Sequence, residues 1–270
     1  MENKIKGALR RILKKGYYKL FKNIYLWFLS LPFGFNLNML ARIYKSDKWG
    51  NHYYTKHYGT HFRKFKFKRI RLLEIGAGGY QNPDIGGNSL RMWKRYFPFG
   101  KIFSVDIYDK SSFDERRIKI FQGSQTDGDF LNRIITQAGE PDIIIDDGSH
   151  INEHVIKTFE ILFPKLKTGG IYVIEDTQTS YWPDYGGDSE NLDNPSTIMN
   201  YFKKLTDCLN HLEFVKSGYA PSYFDKNIYS IRFYHNLIFI FKELNNESSG
   251  VDFNNPESII PDNIISCLTK

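Results

Sequence analysis

The chain has 270 residues, 41% of them hydrophobic and 25% charged. That is enough to bury a large core, and it fits neither a disordered chain nor a polytopic membrane protein. Only Cys208 and Cys267 are present, so a disulfide framework and a cysteine zinc site are excluded and a reducing, cytoplasmic setting is expected.

The formal charge of +7 is local. Lys4, Lys6, Arg10, Arg11, Lys14, Lys15, Lys19 and Lys22 face Glu2 alone within the first thirty residues, and the rest of the chain nets to zero. A basic patch spread over a domain is therefore lacking, and nucleic-acid binding is not expected. Ile5, Ala8, Leu9, Ile12, Leu13, Tyr17, Leu20, Phe21, Ile24 and Phe28 recur at helical spacing. Residues 1–42 thus read as a basic amphipathic helical extension. With Tyr25, Trp27 and Phe28 at its end, it can lie peripherally on an anionic inner membrane through residues 1–30, or pack on the domain or a partner subunit. The uncharged stretch from Asn23 to Ala41 contains Pro32, Gly34 and three asparagines, so no transmembrane helix is expected there. No small-residue cleavage site follows the basic stretch, and an uncleaved segment is expected.

From Ile70 onward, apolar runs alternate with amphipathic stretches, the pattern of βαβ units around a parallel sheet. Strands are expected at Ile70–Ile75, Lys101–Asp106, Ile118–Phe121, Asp142–Asp147 and Ile171–Glu175, with a closing hairpin of Ile228–Tyr234 and Leu237–Lys242. Helices are expected near Ser89–Tyr96, Phe130–Ala138, Asn152–Leu166 and Thr197–Leu209. The domain spans residues 43–244, and residues 245–270 read as a polar tail.

Ligands of open parallel sheets bind beyond the carboxyl ends of the strands. Here those ends carry Glu74, Asp106, Asp146, Asp147, Glu175 and Asp176. Buried carboxylates are costly without cations or donors, so such clustering points to a ligand. The turn Gly76-Ala77-Gly78 lets a ligand approach the backbone. A dinucleotide fingerprint would place its third glycine at Gln81, so that motif fails. Glu74-x-Gly76-x-Gly78 instead matches the first motif of class I methyltransferases that bind S-adenosylmethionine. Asp106 is suited to a ribose diol, and Ser124, Gln125 and Asp127 stand where such folds hold the adenine. Ser89 and Asp146 complete the expected cofactor set.

Asp147, Glu175 and Asp176 are hard oxygen donors on adjacent strand ends, which suit Mg²⁺ better than zinc. His150, three residues past Asp147, can point at whatever the metal holds. An aliphatic hydroxyl needs such help, because it must lose its proton as it accepts a methyl group. Trp49, Tyr53, Tyr54, Tyr181, Trp182 and Tyr185 could offer flat faces to a sugar, and the loop from Thr177 to Pro195 is placed to act as a lid. Each of these aromatics could equally be a core or subunit contact.

Several runs resemble the metal-dependent deoxysugar O-methyltransferases of macrolide biosynthesis. They are Asp146-Asp147-Gly148-Ser149-His150, Gly169 through Thr177, Ser180-Tyr181-Trp182, Tyr44 through Gly50 with Tyr53, Tyr54 and Tyr58, and Gly87-Asn88-Ser89-Leu90-x-Met92-Trp93. The similarity covers about Ile43 to Lys242. It implies a Rossmann-like class I methyltransferase fold with a mostly parallel seven-stranded sheet, Mg²⁺ at Asp147, Glu175 and Asp176, His150 as base, and a homo-oligomer. Catechol-type enzymes carry a lysine where His150 stands, so a sugar acceptor is favoured. The basic extension favours a bacterial surface glycan or its precursor. Alternatives are a glycosylated small molecule of secondary metabolism and a non-catalytic nucleotide- or glycan-binding module.

Overall fold

The computed structural model describes residues 15–214 and 216–247. The expected apolar positions Ile5, Ala8, Leu9, Ile12 and Leu13, and the tail from residue 248, lie outside the described residues. In chain order the structure runs α1 (Lys15–Leu29), α2 (Leu37–Tyr44), α3 (Thr55–Phe62), β1 (Arg71–Ile75), α4 (Asn88–Tyr96), β2 (Lys101–Asp106) and β3 (Ile118–Gln122). It continues through α5 (Gly128–Ala138), β4 (Ile143–Asp146), α6 (Asn152–Leu162), β5 (Ile171–Glu175), α7 (Ile198–Lys204), α8 (Tyr223–Asn227), β6 (Ile228–Tyr234) and β7 (Leu237–Lys242).

The seven strands form one sheet in the order β3-β2-β1-β4-β5-β7-β6. The first five are parallel, and β7 inserts antiparallel between β5 and β6. Chain direction across the sheet reverses between β1 and β4, the switch point where such sheets bind ligands. Register then levels the strand ends: Ile75 pairs with Asp146, and Asp146 with Ile174. The next residues on each strand, Gly76, Asp147 and Glu175, are thereby neighbours along the carboxyl edge.

Ile143, Ile144 and Ile145 are all fully buried, because β4 is central and covered on both faces. Alternation along the strands divides the core into two layers. Leu72, Ile143, Ile145 and Val173 face Tyr58, Phe62 and Trp93. Leu73, Ile144, Tyr172 and Ile174 face Leu131, Phe159 and Phe202.

Residue 42 is not a structural boundary. Leu37, Leu40 and Ala41 of α2 are buried in the same layer as Trp93, and α3 brings Tyr58 edge-on to Trp93 at 5.0 Å. Asn36 caps α2 by accepting the Met39 N–H at 3.1 Å. Lys45 ends it in the left-handed region, at φ 58°, and so turns residues 46–54 across the strand ends.

Two helices are shorter than their periodicity predicts. Pro164 cannot continue α6, which ends at Leu162 and tightens into a 3₁₀ turn through Lys165. α7 ends at Lys204 and is followed by 3₁₀ turns through Glu213, kinked at Asn210, where φ is −113°. The carbonyls of Cys208 and Leu209 there accept from the Asn245 side chain, so the start of the expected tail is anchored. No helix among the described residues is long and apolar enough to cross a membrane.

His61 wedges α3 against the hairpin. Its Nε2 lies 2.8 Å from the Tyr234 hydroxyl and its ring 4.6 Å from that of Phe239. Burial, helped by Arg232, lowers its pKa to about 4. The unfolded chain binds a proton at this histidine below about 6.5 while the folded chain resists until about 4, so stability falls as pH drops through that window. Urea titrations should show a shallower loss between those pH values for His61→Gln than for the parent chain.

Candidate active site

The turn after β1 is built for close approach. Gly76 has φ +91°, and a Cβ there would fall 2.1 Å from the Asp147 carbonyl oxygen, so only glycine lets the β1 and β4 ends meet. Asp106 braces this turn from β2: Oδ2 accepts the Ala77 N–H at 2.8 Å, and Oδ1 accepts the Tyr108 N–H at 2.9 Å. Gly78 follows at φ +76°. Glu74 is fully buried beneath the turn; Oε2 accepts from Ser89 at 3.0 Å, while Oε1 has no hydrogen-bond partner. Burial pushes Glu74 above the usual carboxylate range against the pull of Lys48. Burial likewise lifts Asp146 to about 7, and its Oδ2 also lacks a hydrogen-bond partner.

The acidic strand ends receive one positive charge from the helical side. The Lys48 ammonium is closed off from solvent at 2.6 Å from Glu175 Oε1, 2.8 Å from Asp147 Oδ2 and 3.2 Å from Glu74 Oε1. Burial works to strip its proton, but Asp147, Glu175 and Glu74 together hold its pKa well above the ordinary lysine value. The Tyr58 hydroxyl donates to the same Glu175 oxygen. The Lys48 carbonyl accepts the N–H groups of Tyr54 and Thr55, so the loop curls around its own lysine.

Asp176 points the other way. Its Oδ1 accepts the Tyr54 hydroxyl at 2.6 Å and lies 3.5 Å from His52 Nδ1. Its Oδ2 is 3.7 Å from His150 Nε2, which is itself 3.9 Å from Asp147 Oδ1. Burial works to raise Asp176, yet the Tyr54 hydrogen bond and the neighbouring His150 and His52 hold it below the usual carboxylate range. His150 and Asp176 both occupy the left-handed region, at φ 57° and 55°, a strain of about 1–3 kcal/mol each that clusters at functional sites.

The expected ligand set is therefore divided. Among the described residues, two overlapping groups bring donor atoms within 4.8 Å of one another: Asp147 with His150 and Asp176, and Asp147 with Glu74 and Glu175. Asp147 belongs to both.

Other expected site residues have structural work. Asp127 caps α5 by accepting the Phe130 N–H at 3.0 Å. Buried Gln125 donates to Asp146 at 3.3 Å and to Thr158 at 3.0 Å, and accepts the Ser149 N–H at 2.8 Å, shaping the loop that carries His150. Ser124 pairs with Thr126. Tyr54 offers no open face to a sugar: it is 2% exposed, because its ring stacks on His52 and its hydroxyl grips Asp176. Tyr53, Tyr181 and Trp182 are exposed; Trp49 packs edge-on against Tyr53, and Tyr185 lies near Trp182. The start of the expected lid is a fixed wall, since buried Asn152 donates to the Thr179 and Tyr185 carbonyls at 3.0 and 2.8 Å. Sequence reasoning missed Lys48, Tyr58 and His52 as site residues. The available signal was the charge balance: three buried acids demanded a cation, and Lys48 stood within a run already quoted for its resemblance.

No family model matches the chain. The chain is 47% identical over 214 residues to demethylmacrocin O-methyltransferase of Streptomyces fradiae, an alignment covering 78% of this chain and 54% of that enzyme. It is 43% identical over 213 residues to 8-demethyl-8-alpha-L-rhamnosyl tetracenomycin-C 2'-O-methyltransferase of Streptomyces olivaceus, covering 78% and 56%. The solved MycE methyltransferase of the mycinamycin pathway, in complex with Mg, S-adenosylhomocysteine and mycinamycin VI, superposes with a TM-score of 0.80 at 43% identity, covering 86% of this chain and 59% of that one.

The chain is a homologue of the macrolide deoxysugar O-methyltransferases. Its seven-stranded α/β fold is theirs. It spans about half the length of the curated relatives it matches.

Lys48→Met would leave buried Glu74 and Glu175, with half-buried Asp147, without their cation, a loss of about 3–5 kcal/mol for a broken buried pair. Urea unfolding at pH 7 should show that loss. A change under about 1 kcal/mol would mean that the acids are neutralised by protons instead.

Proposed function

We propose that this chain is an S-adenosylmethionine- and Mg²⁺-dependent O-methyltransferase acting on a sugar hydroxyl of a glycosylated small molecule. The observation that carries the reading is His150 Nε2 standing between Asp147 and Asp176 at the strand tips, in a homologue of sugar O-methyltransferases.

The residues present fit both groups. Asp146 Oδ2 is a buried acceptor without a hydrogen bond, and Glu74, buried beneath the glycine turn, meets the Lys48 ammonium through Oε1 at 3.2 Å; both acids suit the polar half of S-adenosylmethionine. Asp147 and Asp176 would hold the ion, while Glu175, the expected third ligand, is held by Lys48 and Tyr58 in the inner cluster. Bound, the sulfonium supplies the methyl group and Mg²⁺ the Lewis acidity that eases ionisation of an alcohol. The chain's own part is orientation and proton removal. Nε2 of His150 takes the hydroxyl proton as the oxygen attacks, with Asp147 and Asp176 stabilising the imidazolium that results. Lys48 and Tyr58 fix Glu175, and Tyr54 fixes Asp176, so the acids are set before anything binds.

The named relatives act on different molecules, demethylmacrocin in one and a rhamnosyl tetracenomycin C, at a 2'-oxygen, in another. The aglycone therefore does not transfer to this chain. A surface glycan or polysaccharide precursor, favoured on the basic extension alone, has no counterpart among these relatives, which act on glycosylated natural products. The intact acids and His150 weigh against a non-catalytic module.

Excess chelator should abolish methyl transfer and Mg²⁺ restore it. His150→Ala should lower kcat by roughly 10²–10⁴-fold while calorimetry finds S-adenosylhomocysteine binding unchanged. Full turnover in chelator would remove the metal from the reading, and equal methylation of a glycoside and its aglycone would remove the sugar.

A further inference from the structure

α1 leaves one face outside the domain. Its inner side is anchored: Asn23 donates to Glu115, Leu26 packs against the core, and buried Ser30 bonds to Tyr44 and Arg95. The outer side carries Tyr17, Phe21, Ile24, Tyr25 and Phe28 in one helical stripe, each 43–64% exposed. Large contiguous apolar patches on a domain surface mark interaction sites.

A cationic stretch adjoins this face. Leu31 and Phe35 follow α1, both exposed, and Phe35 meets Phe67 edge-on at 5.6 Å. Phe67 lies within Arg63-Lys64-Phe65-Lys66-Phe67-Lys68-Arg69, where Arg63, Lys64, Lys68 and Arg69 are solvent-exposed. Lys66 joins the two parts: its ammonium donates to the Gly34 carbonyl and lies 3.6 Å over the Phe35 ring.

We propose that this surface docks on an anionic lipid bilayer, with α1 in the plane of the interface. Its apolar stripe enters the acyl boundary while the cations of residues 63–69 lie over the lipid phosphates. An apolar helix face beside clustered lysine and arginine is the chemistry of interfacial binding. The fourteen residues before α1 add Lys4, Lys6, Arg10, Arg11 and Lys14 against Glu2. A second copy of this chain is the poorer occupant, because a two-fold contact would set one cationic stretch close to another. The inner-side contacts of α1 mean that a bound helix holds the catalytic domain at the surface with it.

Flotation of the full chain with vesicles of phosphatidylcholine, with and without roughly one-third phosphatidylglycerol, tests this. Binding should require the anionic lipid and fall about tenfold or more in salt near 1 M, where the Debye length is about 3 Å. Phe21→Ser with Phe28→Ser, and separately Lys64→Glu with Lys68→Glu and Arg69→Glu, should each abolish it while leaving S-adenosylhomocysteine binding intact. Absence of flotation, or equal flotation with neutral vesicles, would overturn the proposal. So would a dimer in sedimentation velocity that the double serine variant dissociates, in a chain that does not float; the stripe would then belong to a second copy.

Discussion

The ammonium of Lys48, held away from water among Glu74, Asp147 and Glu175, is the interaction on which the site depends. Three carboxylates at the tips of β1, β4 and β5 would repel one another and resist burial without it. With it, the inner cluster gains one compensating positive charge, burial raises the pKa of Glu74 and Glu175, and Glu175 is fixed. Asp147 is left to share: one oxygen faces Lys48 and the other faces His150. The division separates a structural half of the acidic edge from an open half, where Asp176 and His150 meet Asp147.

That arrangement needs both parts of the chain. The sheet supplies the acids, because parallel register brings Gly76, Asp147 and Glu175 level at the switch point. The segment before the sheet supplies the groups that orient Glu175 and Asp176. Lys48 reaches under the strand ends from the loop after α2, and Tyr54 and Tyr58 donate to Asp176 and Glu175. α2 and α3 are therefore integral to the candidate site, and their apolar faces are buried in the same layer as Trp93. A binding edge preset by hydrogen bonds from packed helices has little left to reorganise when ligands arrive.

The strands and the acidic strand ends were legible in the sequence because their signals are local. Isoleucine runs mark buried parallel strands, and a glycine turn after Glu74 marks a ligand-binding βα junction. Helix ends were less legible where a partner is distant, as with Asn245, which holds the Cys208 and Leu209 carbonyls beside the kink at Asn210. The partition of the acids was not legible at all. Glu175 and Asp176 are adjacent in sequence, but the left-handed turn at Asp176 sends the second carboxylate to Tyr54 and His150 while the first stays with Lys48. Tyr54 was misjudged for a related reason. An aromatic near an expected sugar site suggests stacking, whereas its depth in the core makes it a hydrogen-bond donor to Asp176. Long-range pairing, over more than a hundred residues between Lys48 and Glu175, is what periodicity and motif spacing do not carry.

The account rests on Asp147 serving two clusters at once, with the open one receiving the divalent ion. A crystal structure with Mn²⁺ and S-adenosylhomocysteine, measured at the manganese absorption edge, tests this directly. The expected result is an anomalous peak bounded by Asp147 and Asp176, with Lys48 still seated against Glu175 and Glu74. A peak in the place of the Lys48 ammonium, with that side chain expelled, or a peak remote from His150, would contradict it.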